Sequence, residues 1–486
     1  MHRTIVGETV SNKTSSYVIE PLIPISYVEK LLAYINKNFL LLHERFTDVS
    51  MTRSADKSSL SYTVLDSAGK QKLRVQITGG KPLNLSITPL NEAVSEQEIS
   101  QAKEDVDVVI DFFEEQVRAN TLFFAWREGE SIVPEGLKGR ENKSLNRMLL
   151  ETQILLMVLF LGLGLILFYL VGPFLPVILL AIQLVFVFYS NKLIARTADW
   201  HITKNNPTIP LLEYPLPLEE HEALRQRISR DELMKLKKEI YEKTISQNGE
   251  IDCQDAHQIL SRYGIDCKPE DMMTRKVNVY ETVKNVADKF GFSVPEIVVS
   301  NTLLPNAAAS GPSPSRGIVL ITTGLFVQLE DNEITSVLGH EFGHLKGHDP
   351  LWLYGLSAAQ YLLWFYFIFN LLPTASLLVF FIYFWAMMTI IYFIAKFFEA
   401  RADLTSAIVV GQPKILADAL EKIGFRRLLY ERSPSFRVQE WISLDPHPPI
   451  YFRIARLRKL GDILKIKHPL IQSAREVTRG FLNSFS

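Results

Sequence analysis

Gly339-His340-Glu341-Phe342-Gly343-His344-Leu345-Lys346-Gly347-His348-Asp349-Pro350 holds the pattern around which the rest of the chain is organised. Its two histidines are about one helical turn apart, so they share a face, with a carboxylate beside the first. Both imidazoles can then reach one metal ion, and Glu341 is placed to take a proton from a water next to it. Upstream, Asp331-Asn332-Glu333 offers an N-cap and an acid in the first turn. Ile334, Val337, Leu338 and Leu345 form an apolar stripe, and Pro350 marks a stop or a kink, so the segment is predicted to be a helix. Ordinary residue usage produces His-Glu-x-x-His by chance in on the order of one chain in a hundred of this length. A surface helix with two unrelated histidines is the weaker reading.

On either side of this helix the apolar residues are unevenly spread. Ile154 to Tyr189 and Leu351 to Ile394 are almost free of charge, and each is long enough for two spans of about 20 residues. The first block breaks at Gly172-Pro173 and Pro176, the second at Asn370 to Pro373. The prediction is four transmembrane helices in two tight hairpins. Lys138, Arg140, Lys143 and Arg147 precede the first hairpin, and Lys192 and Arg196 follow it. Lys346 precedes the second, and Lys396 and Arg401 follow it. Basic residues at these edges place the soluble bulk on the cytoplasmic side of the cell membrane. Met1 to Val10 has no apolar run that could serve as a cleavable signal.

The whole chain of 486 residues has 52 basic and 53 acidic residues and a net charge of −1, so nothing points to nucleic acid. Cys253 and Cys267 are too few for a disulfide framework. Residues 1–130 read as a small α+β domain: a helix with Val28, Leu31, Leu32 and Ile35, a meander of Leu60–Leu65, Leu73–Ile77 and Leu83–Ile87, and a second helix carrying Ile99 to Val117. Residues 149–190 make the first hairpin. Residues 191–270 read as a linker, Pro-rich from Asn205 to Pro217, followed by charged helices. Ser246 to Asp252 has some features of a calcium loop, but its first position would be Thr244 and its last Asp255, so a helix-turn-helix without metal is preferred. Residues 271–350 and 395–486 form the core on either side of the second hairpin, residues 351–394. Within it, Asn306 to Gly311 and Ile318 to Gly324 read as a strand pair, either purely structural or an edge on which an extended peptide adds as a further strand.

A catalytic metal site needs a third protein ligand. A metzincin would put a histidine where Pro350 stands, so that pattern fails, and His348 is at the wrong offset. Glu399-Ala400-Arg401-Ala402-Asp403 lies just beyond the second hairpin. A tight hairpin returns the chain to the face it left, and five helical residues past Ile394 span only about 8 Å. Glu399 is therefore expected to complete a His-His-Glu set, with Asp403, one turn on, holding a ligand imidazole in its metal-binding tautomer.

Asn306 to Gly311, Thr322-Thr323-Gly324-Leu325, His340 to His344 and Glu399 to Asp403, in this order around a membrane hairpin, resemble the HtpX-like family of integral-membrane zinc endopeptidases, relatives of the CAAX prenyl endopeptidases. The resemblance runs from about Ile154 to Leu460. It implies a gluzincin-like cytosolic catalytic domain with a small β-sheet in a mainly α membrane protein. One Zn2+ would be held by His340, His344 and Glu399, with Glu341 as general base and Asp403 behind the ligands. Substrate would lie along Asn306, Ala307, Ala308 and Ala309. The late His447-Pro448-Pro449 and Arg453 match a further motif of that family, implying roles at the oxyanion or the metal. The domain before residue 130 departs from the family pattern, and Ala308 stands where relatives often carry a bulkier residue. The function expected is cleavage of membrane or membrane-associated proteins in quality control. The alternatives are a prenyl-tail protease, against which four spans argue, and a zinc-stabilised scaffold, against which an intact Glu341 argues.

Overall fold

The computed structural model describes residues 14–53, 58–66, 69–91, 94–129, 132–133, 166–216, 220–221, 224, 227–246, 251–265, 268, 271–368, 377–431, 434–461 and 468–485. The chain divides into two compact units, Met1–Phe124 with Leu211–Arg275, and Ala125–Pro210 with Lys276–Ser486.

In the first unit, the strands β1 (Ser15–Ile19), β2 (Phe46–Arg53), β3 (Ser58–Leu65), β4 (Gln71–Thr78) and β5 (Leu83–Pro89) form a sheet in the order β1-β5-β4-β3-β2. Leu73, Val75 and Ile77 on β4 and Leu83, Leu85 and Ile87 on β5 alternate with polar residues, so one face is fully apolar. That face is buried in one core with α1 (Val28–Ile35) and α2 (Glu96–Ala119). The meander read from the sequence is the centre of this sheet. The edge strand β2 lacks apolar alternation, is mostly exposed, and is interrupted between Thr47 and Ser50, where Asp48 has φ 52°. Ser95 and Glu98 close a capping box that starts α2.

Residues 211–275 belong with this unit, and the Pro-rich linker expected there is a strand, Thr208–Pro215, with Ile209, Leu211, Leu212 and Tyr214 buried. Proline had suggested a break, whereas Pro210 and Pro215 sit within the strand. The first position of the supposed calcium loop, Thr244, is buried and donates to the Ile240 carbonyl at 2.7 Å. Asp252 caps the helix Cys253–Arg262 through Gln254 and Asp255 amides. Both are occupied as helix parts; residues 247–250 lie outside the described residues.

The second unit holds a sheet in the order β8-β9-β7-β6, with β6 Trp200–Ile202, β7 Glu296–Ser300, β8 Ala307–Ser310 and β9 Ile318–Thr322. β7 and β9 are parallel, and β8 pairs antiparallel with β9, Ala309 opposite Val319, leaving its other side as the sheet edge. Among the helices are α3 (Leu175–Phe188), α4 (Ser190–Thr197), α5 (Val279–Phe290), α6 (Asp331–Gly347), α7 (Asp349–Leu363) and α8 (Leu377–Val410). α6 is capped by Glu330 with Glu333, one residue before the Asp331 expected. It ends at His348, whose φ of 55° turns the chain, and Pro350 falls in the first turn of α7 rather than at a stop.

α6 meets α8 along a row of small residues. A methyl group on Gly339 would touch Ser406 and Val410, and one on Gly343 would come within 3.0 Å of the Ala402 backbone. Only glycine at these positions lets the two helices approach so closely, and it is this approach that carries Glu399 to the histidines.

Among the described residues, one helical run, Ile166–Phe188, is long and apolar enough to cross a membrane, with 23 residues and a mean hydropathy of 2.5, and most of it is not buried. It is interrupted at Gly172, where φ is 58° and a short 3-10 turn follows. α3 runs beside α7: Tyr354 donates to the Leu180 carbonyl at 2.7 Å, and Tyr366, just past the end of α7, donates to the carbonyl of Pro173, just before α3, at 2.5 Å. The other end of α3 leads to Ser190, whose hydroxyl pairs with that of Ser310 on β8. Phe174, Val185 and Phe186 in and beside α3, Trp352 and Phe367 on and just after α7, and Ile382 and Trp385 on α8 are large apolar side chains left exposed. The start of the first expected span and the turn at Asn370 to Pro373 lie outside the described residues. Lys396 and Arg401, expected as cations at the membrane edge, are instead turned inward, Lys396 onto the carbonyls of Ser443 and Asp445 and Arg401 onto Asp349.

Candidate metal centre

His340 and His344 point from one face of α6 at Glu399 on α8. Their Nε2 atoms are 3.2 Å apart and lie 3.4 and 3.3 Å from Glu399 Oε2 and Oε1. All three side chains offer ligand atoms within 4.8 Å of one another. Tetrahedral zinc at about 2.0–2.1 Å separates neighbouring donors by roughly 3.3–3.4 Å, which these spacings match. Glu399 Oε2 is buried without a hydrogen-bond partner, the condition expected of an atom reserved for a cation.

The other nitrogens of both rings are already committed. His340 Nδ1 lies 2.9 Å from Asp403 Oδ1, and His344 Nδ1 lies 2.7 Å from Asp349 Oδ2. A carboxylate accepts from each Nδ1–H, so both Nε2 lone pairs face the shared point. Burial opposes a charge on His340, but the hydrogen bond to Asp403 and the close Glu399 carboxylate outweigh it and raise its pKa to about 10. Burial likewise opposes charge on Glu399, yet the histidines hold its carboxyl well below the usual range. The pocket is thus set to receive positive charge, as a proton or as a metal.

Asp403 is fully buried, and burial alone would raise its pKa. Arg453, with His340, reverses this. Arg453 Nη2 and Nε lie 2.6 and 2.9 Å from the two Asp403 oxygens, while its Nη1 is 4.0 Å from Glu399 Oε2. It stands behind the ligand cluster, 5% exposed, rather than facing the open side. His447 is on the open side, with its Nε2 3.7 Å from Glu399 Oε2 and its side chain 46% exposed. Its Nδ1 and backbone amide both lie 2.8 Å from Asp445 Oδ1, and Arg427 holds the other Asp445 oxygen at 2.8 Å.

Glu341 turns the other way, toward β8, where its Oε2 accepts the Ala309 amide at 3.0 Å. Asn306, at the start of that strand, is tied by its backbone to Thr322. The structure places His340, His344, Glu399 and Asp403 in one cluster, with His447 and Arg453 at its two sides and Glu341 on Ala309, while Asn306, Ala307 and Ala308 lie on or next to the strand that Glu341 touches. The sequence reading missed Asp349, Asp445 and Arg427. Asp445 stands two residues before His447, and Asp349 five after His344, both within reach of a local search for imidazole partners.

A His-Glu-x-x-His helix beside a sheet edge, with a buried third carboxylate brought in by a second helix, is the arrangement of a metallopeptidase. Residues 274–461 match Peptidase family M48. Proteins carrying the name Protease HtpX homolog are similar to part of this chain. That of Thermococcus sibiricus is 30% identical over 230 residues, covering 39% of this chain and 75% of that protein. That of Pyrococcus furiosus is 31% identical over 223 residues, 38% and 73%, and that of Tropheryma whipplei (strain Twist) 29% over 222 residues, 38% and 72%. The crystal structure of S. mikatae Ste24p superposes with a TM-score of 0.29 and 19% identity, over 37% of this chain and 48% of that one. The chain belongs to family M48, among the HtpX-like membrane metalloproteases.

Proposed function

We propose that this protein is a zinc-dependent endopeptidase of gluzincin type that cleaves membrane or membrane-associated proteins at the cytoplasmic surface of the cell membrane, in protein quality control. The observation that carries the reading is the convergence of His340, His344 and the unpartnered Glu399 oxygen beside a Glu341 aimed at a sheet edge. Four membrane helices in two hairpins hold this centre at the bilayer. The antiparallel pairing of α3 with α7 supports that arrangement, as do the exposed Lys192 and Arg196 that follow α3.

In this reading His340, His344 and Glu399 hold the zinc. When bound, the metal supplies Lewis-acid polarisation of a carbonyl and a water of lowered pKa. Glu341 takes the proton of the attacking water and passes it to the leaving amide nitrogen, with the Ala309 amide fixing its carboxylate. The free side of β8 binds an extended substrate by main-chain hydrogen bonds, with Asn306 to Ala309 along its path and the Ala309 amide already given to Glu341. His447 faces the developing oxyanion, its ring held in place by Asp445 at Nδ1. Arg453 acts through Asp403, holding His340 in place.

The test is Glu341→Gln in the detergent-solubilised full chain, with casein or a membrane protein as substrate. Zinc content should stay at the parent level while cleavage falls by about 10²–10⁴-fold, the range of a lost general base. Undiminished cleavage in that variant would remove Glu341 as the base and sink the mechanism.

A further inference from the structure

α7 and α8 both start or pass beside the metal centre, and one side chain joins them there. Arg401, on α8 two residues after Glu399, places a single guanidinium nitrogen, Nη2, 2.5 and 2.6 Å from the two oxygens of Asp349, the first residue of α7. The same nitrogen lies 3.5 Å from the Gly343 carbonyl, and the guanidinium sits over the Phe398 ring at 5.6 Å. Asp349 has 4% of its side chain exposed and Arg401 13%, so their attraction is little screened by water. Asp349 in turn fixes His344 through Nδ1.

Gly347 makes this possible. A Cβ built on Gly347 would fall 1.7 Å from Arg401 Nη2 and 2.1 Å from Cζ, so any side chain there expels the guanidinium from its place. Nothing in the local backbone demands glycine: the positive φ that turns the chain belongs to His348, the next residue. The last helical position of α6 is left without a side chain so that a cation from another helix can occupy the space.

We propose that Arg401 is a positioning residue for the metal centre. Admitted by Gly347, it clamps Asp349, holds the His344 imidazole in its ligating orientation, and ties the root of α7 to α8 at the site. The metal's grip and the packing of these two helices are then one linked property. The proposal rests on the metal-centre reading above but not on peptidase activity, and its readout is zinc affinity.

Zinc dissociation constants are measured by competition with a chromogenic chelator on the full chain in detergent, for the parent, Gly347→Ala, Arg401→Gln and the double variant. Partners behind metal ligands typically contribute 10–100-fold to affinity. Gly347→Ala and Arg401→Gln should each weaken zinc by at least about tenfold. The double variant should be no weaker than Arg401→Gln within about twofold, because both changes remove the same clamp. Alanine is preferred to glycine inside a helix, so the apo midpoint of Gly347→Ala should not fall for backbone reasons. Parental affinity in Gly347→Ala overturns the proposal, as does a multiplicative loss in the double variant. Should Gly347→Ala not fold, Arg401→Gln alone decides it: a tenfold loss supports the clamp, and parental affinity overturns it. A parent that binds no zinc overturns the metal centre itself, an outcome distinct from the other two.

Discussion

Replacing Arg453 by methionine leaves the Asp403 carboxylate, 0% exposed, with only His340 Nδ1 at 2.9 Å for company. The two bonds lost are short, 2.6 and 2.9 Å, and the guanidinium is itself 5% exposed, so water cannot replace it without opening the core behind α6 and α8. Breaking one side of a buried ion pair costs about 3–5 kcal/mol, because a desolvated charge is left uncompensated. For a unit of a few hundred residues that lowers the thermal midpoint by roughly 6–20 °C. Removing both charges is far milder than removing one. Arg453→Met combined with Asp403→Asn should therefore recover more than half of the loss, since the amide oxygen still accepts from His340. The assay is thermal unfolding of the detergent-solubilised protein in excess chelator, so that metal does not enter the balance. A single variant within about 2 °C of the parent, or a double variant less stable than the single one, would refute the account of this buried pair.

Gly343→Leu should part α6 from α8, because even a Cβ there meets Ala402 backbone at 3.0 and 3.1 Å. Zinc affinity, measured by chelator competition, should drop more than about 100-fold as Glu399 is carried away, while Gly355→Ala, with open space around it, should bind zinc like the parent. Burial of Lys396 lowers its pKa from 10.5 to about 8, only partly offset by Asp445. Between those values the unfolded chain binds more protons than the folded one, so the parent should gain stability relative to Lys396→Met as pH rises from 8 to 10.5. Below pH 8 the difference should be flat; a difference that stays flat or shrinks across the upper window, read from thermal midpoints, would contradict it.

The parts of this molecule legible from sequence are those governed by local repetition. His340 and His344 share a face because a helix turns every 3.6 residues, and β4 and β5 alternate because a strand's period is two. Their element types follow from that alone. The return of Glu399 to the histidines was legible too, since the sequence led to the expectation that the chain comes back to the face it left. Less legible were elements whose local signals conflict. The strand Thr208–Pro215 was hidden behind its prolines, and β2 behind a bulge and an exposed face. Lys396 and Arg401 counted as membrane-edge cations on position alone, and both are internal.

What only the tertiary structure decided is which partner each group meets. Gly339, Gly343 and Gly347 recur every four residues in plain sight, yet their meaning depends on Val410, Ala402 and Arg401 arriving from a helix more than fifty residues away. The same holds for Asp403 with Arg453 and Asp445 with Arg427. Sequence spacing specifies the direction of a side chain from its own backbone. Its neighbour is selected by close packing and by the need to neutralise every buried charge, and those are properties of the assembled helices.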